Sequence, residues 1–380
     1  MSEAEVPPLP ARVPQSGGEN DAPPVTIQRV QCGDARNLDA IDQGSVDLVV
    51  TSPPYPMIRM WDGLFSSMSS DAAQALAESD GQAAFEAMHR ELDKVWTGLF
   101  RVIAEGGFLC INIGDATRTI GGSFALYPNH ARITSACTAA GFTCLPLVLW
   151  KKTTNAPNKF MGSGMLPAGA YVTLEHEYIL IFRKGDKRAF DTTDARRRRM
   201  ESAFFWEERN SWFSDTWNLS GVRQELPETA LRDRSAAYPF ELAYRLILMY
   251  SHYGDTVLDP FCGTGTTLYA ALAAGRSGIG VDTDPSLTSN IIDGLAGFIP
   301  QARQLGAERL ARHDRFVTER TMKAGAPKHF NDALGTPVMT RQETALVSML
   351  PHRLVSSEDS RITVSYTTVQ PPSGLPDNRR

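Results

Sequence analysis

Apolar positions in this chain fall into short compact runs separated by longer amphipathic stretches, a rhythm that starts at Val25. VTIQRVQC reads as a strand closed by a turn at Gly33-Asp34, and SVDLVV as a buried β-branched strand that stops at Pro53-Pro54. Phe85, Met88, Leu92, Val95, Leu99 and Val102 recur at helical spacing within residues 82–104, with Gly106-Gly107 as the expected stop. FLCINIG then reads as a strand, residues 131–140 as a helix closed by Gly141, LPLVLW as a strand, and EYILIFRKG as a strand with its turn. The rhythm is lost between Asp186 and Thr229. It resumes with a helix over residues 239–253, the strand TVLD, a Gly-rich loop, the helix TTLYAALAAG and the strand SGIGVD. Strand alternating with helix predicts an α/β fold: a mostly parallel sheet with helices on both faces. Residues 1–24, rich in Pro, Gly and acid, read as a disordered tail. The body spans 25–320 with 186–229 inserted as an irregular region. Residues 321–380 read as a partly irregular extension whose last part, 366–380, is frayed.

Composition adds one correction to this picture. The apolar fraction of 42% and charged fraction of 21% are those of an ordinary globular chain. The net charge of −5 argues, taken alone, against a nucleic-acid partner. Yet residues 150–200 carry 11 Lys/Arg against 5 Asp/Glu, a local net of +6 that includes Lys151, Lys152, Lys159 and the run Arg196–Arg199. A solvated charge run has the same look, so the window poses a question rather than answering it. The cysteines at 32, 110, 137, 144 and 262 make no CxxC and no zinc spacing, which predicts free thiols and no metal site. No apolar run approaches the roughly 18–20 residues of a membrane span. With no leader pattern at its start, the chain reads as cytoplasmic and associated with the nucleoid.

Two loops carry candidate chemistry. Asp259-Pro-Phe-Cys-Gly-Thr-Gly-Thr-Thr follows a strand and opens a helix, where Gly263 and Gly265 let the backbone approach a ligand closely. Asp282 ends the next strand, 23 positions after Asp259, close to the spacing of about 20 at which a carboxylate meets ribose hydroxyls. No third glycine and no P-loop lysine follow, so a nucleoside without a phosphate chain fits better than a dinucleotide. A tight turn that binds nothing has the same Gly-x-Gly. The second loop is Thr51-Ser52-Pro53-Pro54-Tyr55. Prolines fix φ and donate no hydrogen bond, so this rigid loop offers acceptors, the Ser52 hydroxyl and Pro53 carbonyl, beside a flat ring. An exocyclic amino group needs such an arrangement. A Pro-Pro pair that merely ends a strand is the alternative.

Together the loops resemble those of the amino-methyltransferases of DNA, which use S-adenosylmethionine and carry a (D/N/S)PP(Y/F) loop. Catalytic loop first, variable region next and Gly loop last is similar to the permuted order of the β group. The resemblance covers roughly 25–320, including Gly33-Asp34, GGFLCINIGD, EHEYILIFRKG and YPFELAYRLI. A serine at the head of the loop is similar to the cytosine-N4 branch.

The resemblance implies a Rossmann-like methyltransferase sheet and transfer of a methyl group from S-adenosyl-L-methionine to N4 of a flipped cytosine in double-stranded DNA. It also implies a restriction–modification system, whose cognate endonuclease need not touch this chain. Ser52 and the Pro53 carbonyl would hold the amino group, Pro54 would keep the loop rigid, and Tyr55 would stack on the base. Asp282 would hold the cofactor's ribose and Asp34 its adenine amino group, although Gly-Asp is also a common turn. Gly263 and Gly265 would make room for the methionine portion and Thr264 or Thr266 would hold its carboxylate, with Asp259, Phe261 and Phe240 in the same pocket. For DNA, the candidates are Arg59 beside the catalytic loop, Lys151, Lys152 and Lys159 on the backbone, and Arg196, Arg197, Arg198 and Arg199 in the recognition region. An adenine-N6 enzyme, a methyltransferase of RNA or of protein glutamine, and a non-catalytic DNA reader remain alternatives.

Overall fold

The computed structural model of the protein describes residues 24–152, 161–219 and 238–369. Five parallel strands form the centre of a ten-stranded sheet: β3 (Ile103–Ile113), β2 (Val46–Thr51), β11 (Thr256–Asp259), β12 (Ser277–Asp282) and β1 (Val25–Cys32), side by side in that order. On the β3 flank, β9 (His176–Lys184) runs antiparallel, followed by β6 (Phe142–Lys151) and the short β10 (Thr216–Asn218). On the β1 flank an antiparallel hairpin, β15 (Met349–Glu358) and β16 (Arg361–Thr368), extends the sheet. Three small hairpins lie outside it: β4–β5 (Ala116–Ile120, Ser123–Tyr127), β7–β8 (Met161–Gly162, Ala170–Tyr171) and β13–β14 (His329–Asn331, Thr336–Val338).

The central strands are apolar on both sides, as parallel strands sandwiched between helices must be. All six residues of β2 are buried. Leu48 and Val50 point into a core shared with α7 (Phe240–Tyr250), α8 (Thr266–Ala273) and α9 (Pro285–Ala324). Val49 faces the opposite core, with α3 (Gly81–Val102) and α4 (Asn129–Ala139), and Val46, set off from Leu48 by a register irregularity, lies there too. The period-2 alternation of strand side chains thus serves two layers of helices. Two short helices, α1 (Asp62–Met68) and α2 (Ser70–Ala77), lead into α3, whose N-cap Asp80 accepts from Ala83 N. Among the described residues, no helix is long and apolar enough to cross a membrane.

Three expectations are corrected by the structure. Gly106-Gly107 does not stop α3, which ends at Val102; both glycines lie inside β3. A Cβ at Gly107 would come within 2.8 Å of the Asp47 carbonyl, and one at Gly106 within 2.6 Å of the Arg188 backbone, so these glycines allow close strand and turn approach. The inserted region is not irregular where it is described: it holds α5 (Thr193–Glu201), α6 (Trp206–Trp212) and β10, while 220–229 lie outside the described residues. Of the end expected to be frayed, 366–380, residues 366–368 instead belong to β16. α9 runs on to Ala324, and β16 inserts Ile362, Val364 and Tyr366 into the core, with Tyr366 Oη donating to Leu272 O at 2.8 Å. The expected tail over 1–24 lies outside the described residues, apart from Pro24.

Candidate active site

Both candidate loops leave the C-terminal ends of neighbouring parallel strands, the catalytic loop after β2 and the Gly loop after β11. Open α/β sheets bind ligands at this end. One carboxylate joins the two. Asp259, 2% exposed, accepts from Thr51 Oγ1 (2.6 Å) and Phe261 N (3.1 Å) on one oxygen, and from Thr267 Oγ1 (2.5 Å) and Tyr238 Oη (3.1 Å) on the other. Burial pushes its pKa up, against the pull of these donors. Fully partnered and enclosed, Asp259 is a tie between strands and helices rather than the ligand-facing residue expected from the motif.

The catalytic loop is braced from several sides. Ser52 Oγ donates to Tyr55 Oη at 3.1 Å, and Tyr55 Oη donates to Glu177 Oε2 at 3.0 Å. Asn112 Nδ2, at the end of β3, donates to both Tyr55 Oη (2.8 Å) and Glu177 Oε2 (2.7 Å). Lys152 Nζ pairs with Glu177 Oε1. Burial, then the neighbouring Glu177 charge, raises the Tyr55 pKa well above its ordinary value, so the phenol stays protonated and donates. Pro53 and Pro54 are buried. Behind them, Asn129 Nδ2 donates to Pro56 O (3.1 Å) and Gly114 O (2.9 Å), while its Oδ1 lies 2.9 Å from His89 Nε2. The loop then turns through Met57 at φ 67°, a left-handed conformation costly for a non-glycine residue.

The Gly loop is shaped by its glycines and by Asp282. Gly263 (φ 49°) has nothing within 4 Å of where a Cβ would project, whereas a Cβ at Gly265 (φ 84°) would lie 2.8 Å from Ile291. Asp282 Oδ2 accepts from Gly263 N (2.9 Å) and Oδ1 from Asp284 N (3.0 Å), fixing the carboxylate against the loop. Thr266 is 5% exposed and its buried Oγ1 has no hydrogen-bond partner, while Thr264 is half-buried. Asp34 stands at the end of β1, and its neighbour Gly33 donates to Asp282 O at 2.8 Å. Its carboxylate is gripped by Arg36 (2.6–3.1 Å), which holds its pKa down. Phe240 stacks on Tyr244 and meets Phe298 edge-on.

A family model described as DNA methylase matches residues 46–292, a span that contains both loops and the strands carrying them. The chain belongs to this family. It is 45% identical over 348 residues to the Type II methyltransferase M.MthZI of Methanothermobacter thermautotrophicus, covering 91% of this chain and 97% of that one. Against the Type II methyltransferase M.MjaI of Methanocaldococcus jannaschii it is 47% identical, covering 69% and 89%. Among solved structures it resembles TTHA0409, a candidate DNA modification methylase of Thermus thermophilus complexed with S-adenosyl-L-methionine (TM-score 0.56, 32% identity, 72% of this chain and 95% of that one). The PvuII DNA methyltransferase (cytosine-N4-specific) shares the fold at 16% identity (TM-score 0.51, 71% and 86% covered). The protein is thus a DNA methyltransferase of the N4/N6 amino-methyltransferase family.

The methylase distributes its candidate DNA residues over two ends of the sheet. Arg59 is exposed in the single 3₁₀ turn after the catalytic loop, and Lys151 is exposed at the end of β6. Lys152 is exposed too, but engaged by Glu177. Lys159 lies outside the described residues. Arg196–Arg199 are not brought to this end. Their helix α5 follows β9, which runs back across the sheet, and it packs where the central strands begin: Ser202 Oγ accepts from Tyr253 N at 2.8 Å, just before β11. Arg196 donates to Phe190 O and Asp191 O, Arg197 pairs with Glu201 (2.9 Å), and Arg199 covers the Phe190 ring. Of the aromatics at 204–217, Phe205, Trp212 and Trp217 are buried, whereas Trp206 and Phe213 are exposed. Sequence reading missed Glu177, Asn112 and Asn129. Asn112 stands inside the apolar run FLCINIG, where a polar residue is itself the signal, while Glu177 heads the run EYILIFRKG and carries no such mark. Among the described residues, no His, Cys, Asp and Glu group is placed to hold a metal ion.

Proposed function

We propose that this methylase transfers the methyl group of S-adenosyl-L-methionine to the exocyclic N4 of a cytosine flipped out of duplex DNA, as the modification enzyme of a restriction–modification system. The observation that carries this reading is the oriented chain Ser52–Tyr55–Glu177 set one strand away from the Gly263–Asp282 cradle. The Type II methyltransferases that it resembles support the biological setting.

The cradle fits the cofactor. Open space over Gly263, the orphaned Thr266 hydroxyl and the exposed side of the Asp282 carboxylate offer room, a donor and ribose acceptors on one surface. When bound, S-adenosyl-L-methionine supplies an electrophilic methyl on a sulfonium. Gly263, Gly265 and Thr264 would border its methionine part, and Asp282 its ribose. Asp34, already engaged by Arg36, would stand at the adenine end. Phe261 and Phe240 would supply apolar walls.

On the substrate side, the Ser52 proton is committed to Tyr55, which leaves the Oγ lone pairs to accept from an amino group. Ser52 Oγ and the Pro53 carbonyl would accept hydrogen bonds from the two amino N–H groups and so align the nitrogen lone pair with the methyl donor, one proton leaving the nitrogen during or after transfer. This is positioning more than base catalysis, because a serine is too weak a base to deprotonate an aryl amine first. Tyr55, anchored by its hydroxyl, would present its ring to the flipped base. Arg59 and Lys151 would meet the DNA backbone.

Mass spectrometry of nucleosides from DNA modified by the protein should show N4-methylcytosine; N6-methyladenine would overturn the base assignment. Ser52→Ala should lower kcat by at least about 100-fold, with cofactor affinity retained in calorimetry. Asp282→Ala should weaken S-adenosyl-L-methionine binding about ten- to a hundredfold, the loss expected for hydrogen bonds to a charged group.

A further inference from the structure

At the opposite end of the sheet from both loops, the start of β3, the end of α7, α5, α6 and the 340–343 turn enclose a cavity of about 970 Å³. Its position is fixed by Asp47 and Gly106, near the starts of β2 and β3, and by Arg188, which ties Asp47 (3.4 Å) to Asp255 (2.6 Å) there. Asp47 to Ser52 is five strand residues, roughly 17 Å at about 3.3 Å each, so this is not the active site.

The charge in this cavity is lopsided. Seven Lys and Arg side chains line it against two carboxylates, Asp47 and Glu343, in a chain whose total charge is −5. Asp47 is committed to Arg188, and Glu343 accepts from Trp206 N, Thr340 N and Thr340 Oγ1. Among the described residues, Lys187, Arg199, Arg209 and Arg341 have no carboxylate partner. Arg199 sits over the Phe190 ring, its Cζ 4.4 Å from the centroid, and a ring face leaves guanidinium N–H groups for another partner. Like charges gathered round a concave low-dielectric wall focus a positive potential, and a bound anion relieves it. The floor is of another character: Phe204, Trp206 and Tyr250 make it aromatic. A volume near the upper end of the usual 300–1,000 Å³ suits a ligand of cofactor size.

We propose that this cavity binds a nucleotide, its base against the aromatic floor and its phosphates on Arg199, Arg209 and Arg341. Guanidinium groups suit phosphate oxygens through paired N–H donors, and aromatic side chains suit the face or edge of a base. The site is separate from methyl transfer and stands or falls independently of it.

Titration calorimetry on the full chain tests this, with the cofactor site saturated by S-adenosyl-L-methionine. ATP should bind, inorganic triphosphate should bind at least tenfold more weakly, and Arg199→Glu with Arg341→Glu should weaken ATP at least tenfold. The double variant should keep its cofactor affinity and melting temperature. No heat with ATP, binding abolished by saturating cofactor, or affinity untouched in the variant would overturn the proposal. Triphosphate binding as tightly as ATP would overturn the role of the floor. A short single-stranded oligonucleotide that outcompetes ATP would replace the nucleotide with a nucleic-acid strand.

Discussion

At the scale of single residues, the site owes its geometry to side chains that need never touch a substrate. Glu177 gathers Tyr55, Asn112 and Lys152 on its two oxygens. Gly114 leaves room for the same cluster: a Cβ there would lie 3.1 Å from the Tyr55 ring and 3.3 Å from Glu177. Glu177 is therefore a positioning residue. Glu177→Gln and Tyr55→Phe should each lower kcat more than they raise KM. Because both variants cut the same chain of hydrogen bonds, their effects should fall short of additive, with a coupling of about 0.5–3 kcal/mol in a double-mutant cycle on kcat/KM. Additive losses would show that the two act separately.

At the scale of elements, the parallel strands and the two loops were legible because their signals are local. β2 and β11 are compact β-branched runs, and Pro-Pro and Gly-x-Gly stop them where the structure does. What stayed illegible depends on strand direction, which no local pattern encodes. The basic window of residues 150–200 looks like one surface in the sequence. β9 carries the chain across the sheet in its midst, so Lys151 and Lys152 stay at the catalytic end while Arg188, Arg196 and Arg199 reach the other. Glu177 was hidden for the same reason: its role depends on β9 lying antiparallel beside β3 and so meeting Asn112. The alternation of Ile362, Val364 and Tyr366 was a readable strand signal, masked by the polar residues around it. One contact between elements is open to direct trial. Thr51→Val removes a buried donor to Asp259, with Thr51 itself at 0% exposure. It should cost about 1–3 kcal/mol in urea unfolding, and it should weaken cofactor binding although Thr51 belongs to the other loop.

At the scale of the whole molecule, stability depends on buried groups that resist protonation. Burial lowers the His89 pKa to about 3, where an unfolded chain would titrate near 6.5. Asp255 is buried, which pushes its pKa up, yet His252 and Arg188 hold it well below the ordinary carboxylate range. In both cases the unfolded state takes up protons first as pH falls, so stability is fully present above the unfolded pKa and is lost below it. For His89 that window runs from about 6.5 down to about 3. Urea unfolding should show stability falling by up to about 1.4 kcal/mol per pH unit from this site as pH drops below 6. His89→Gln, which can still donate to Asn129, should flatten that slope. A slope unchanged in the variant would remove His89 as its source.

The four donors on Asp259 have one more consequence. Thr51 belongs to the loop that would hold the base, and Thr267 and Phe261 to the segment that would hold the cofactor; all three converge on one carboxylate. A cofactor whose binding altered this carboxylate would alter affinity for the base, and thermodynamic reciprocity would make the change equal in both directions. Asp259 is thus the one carboxylate that ties the segment that would hold the cofactor to the loop that would hold the target base.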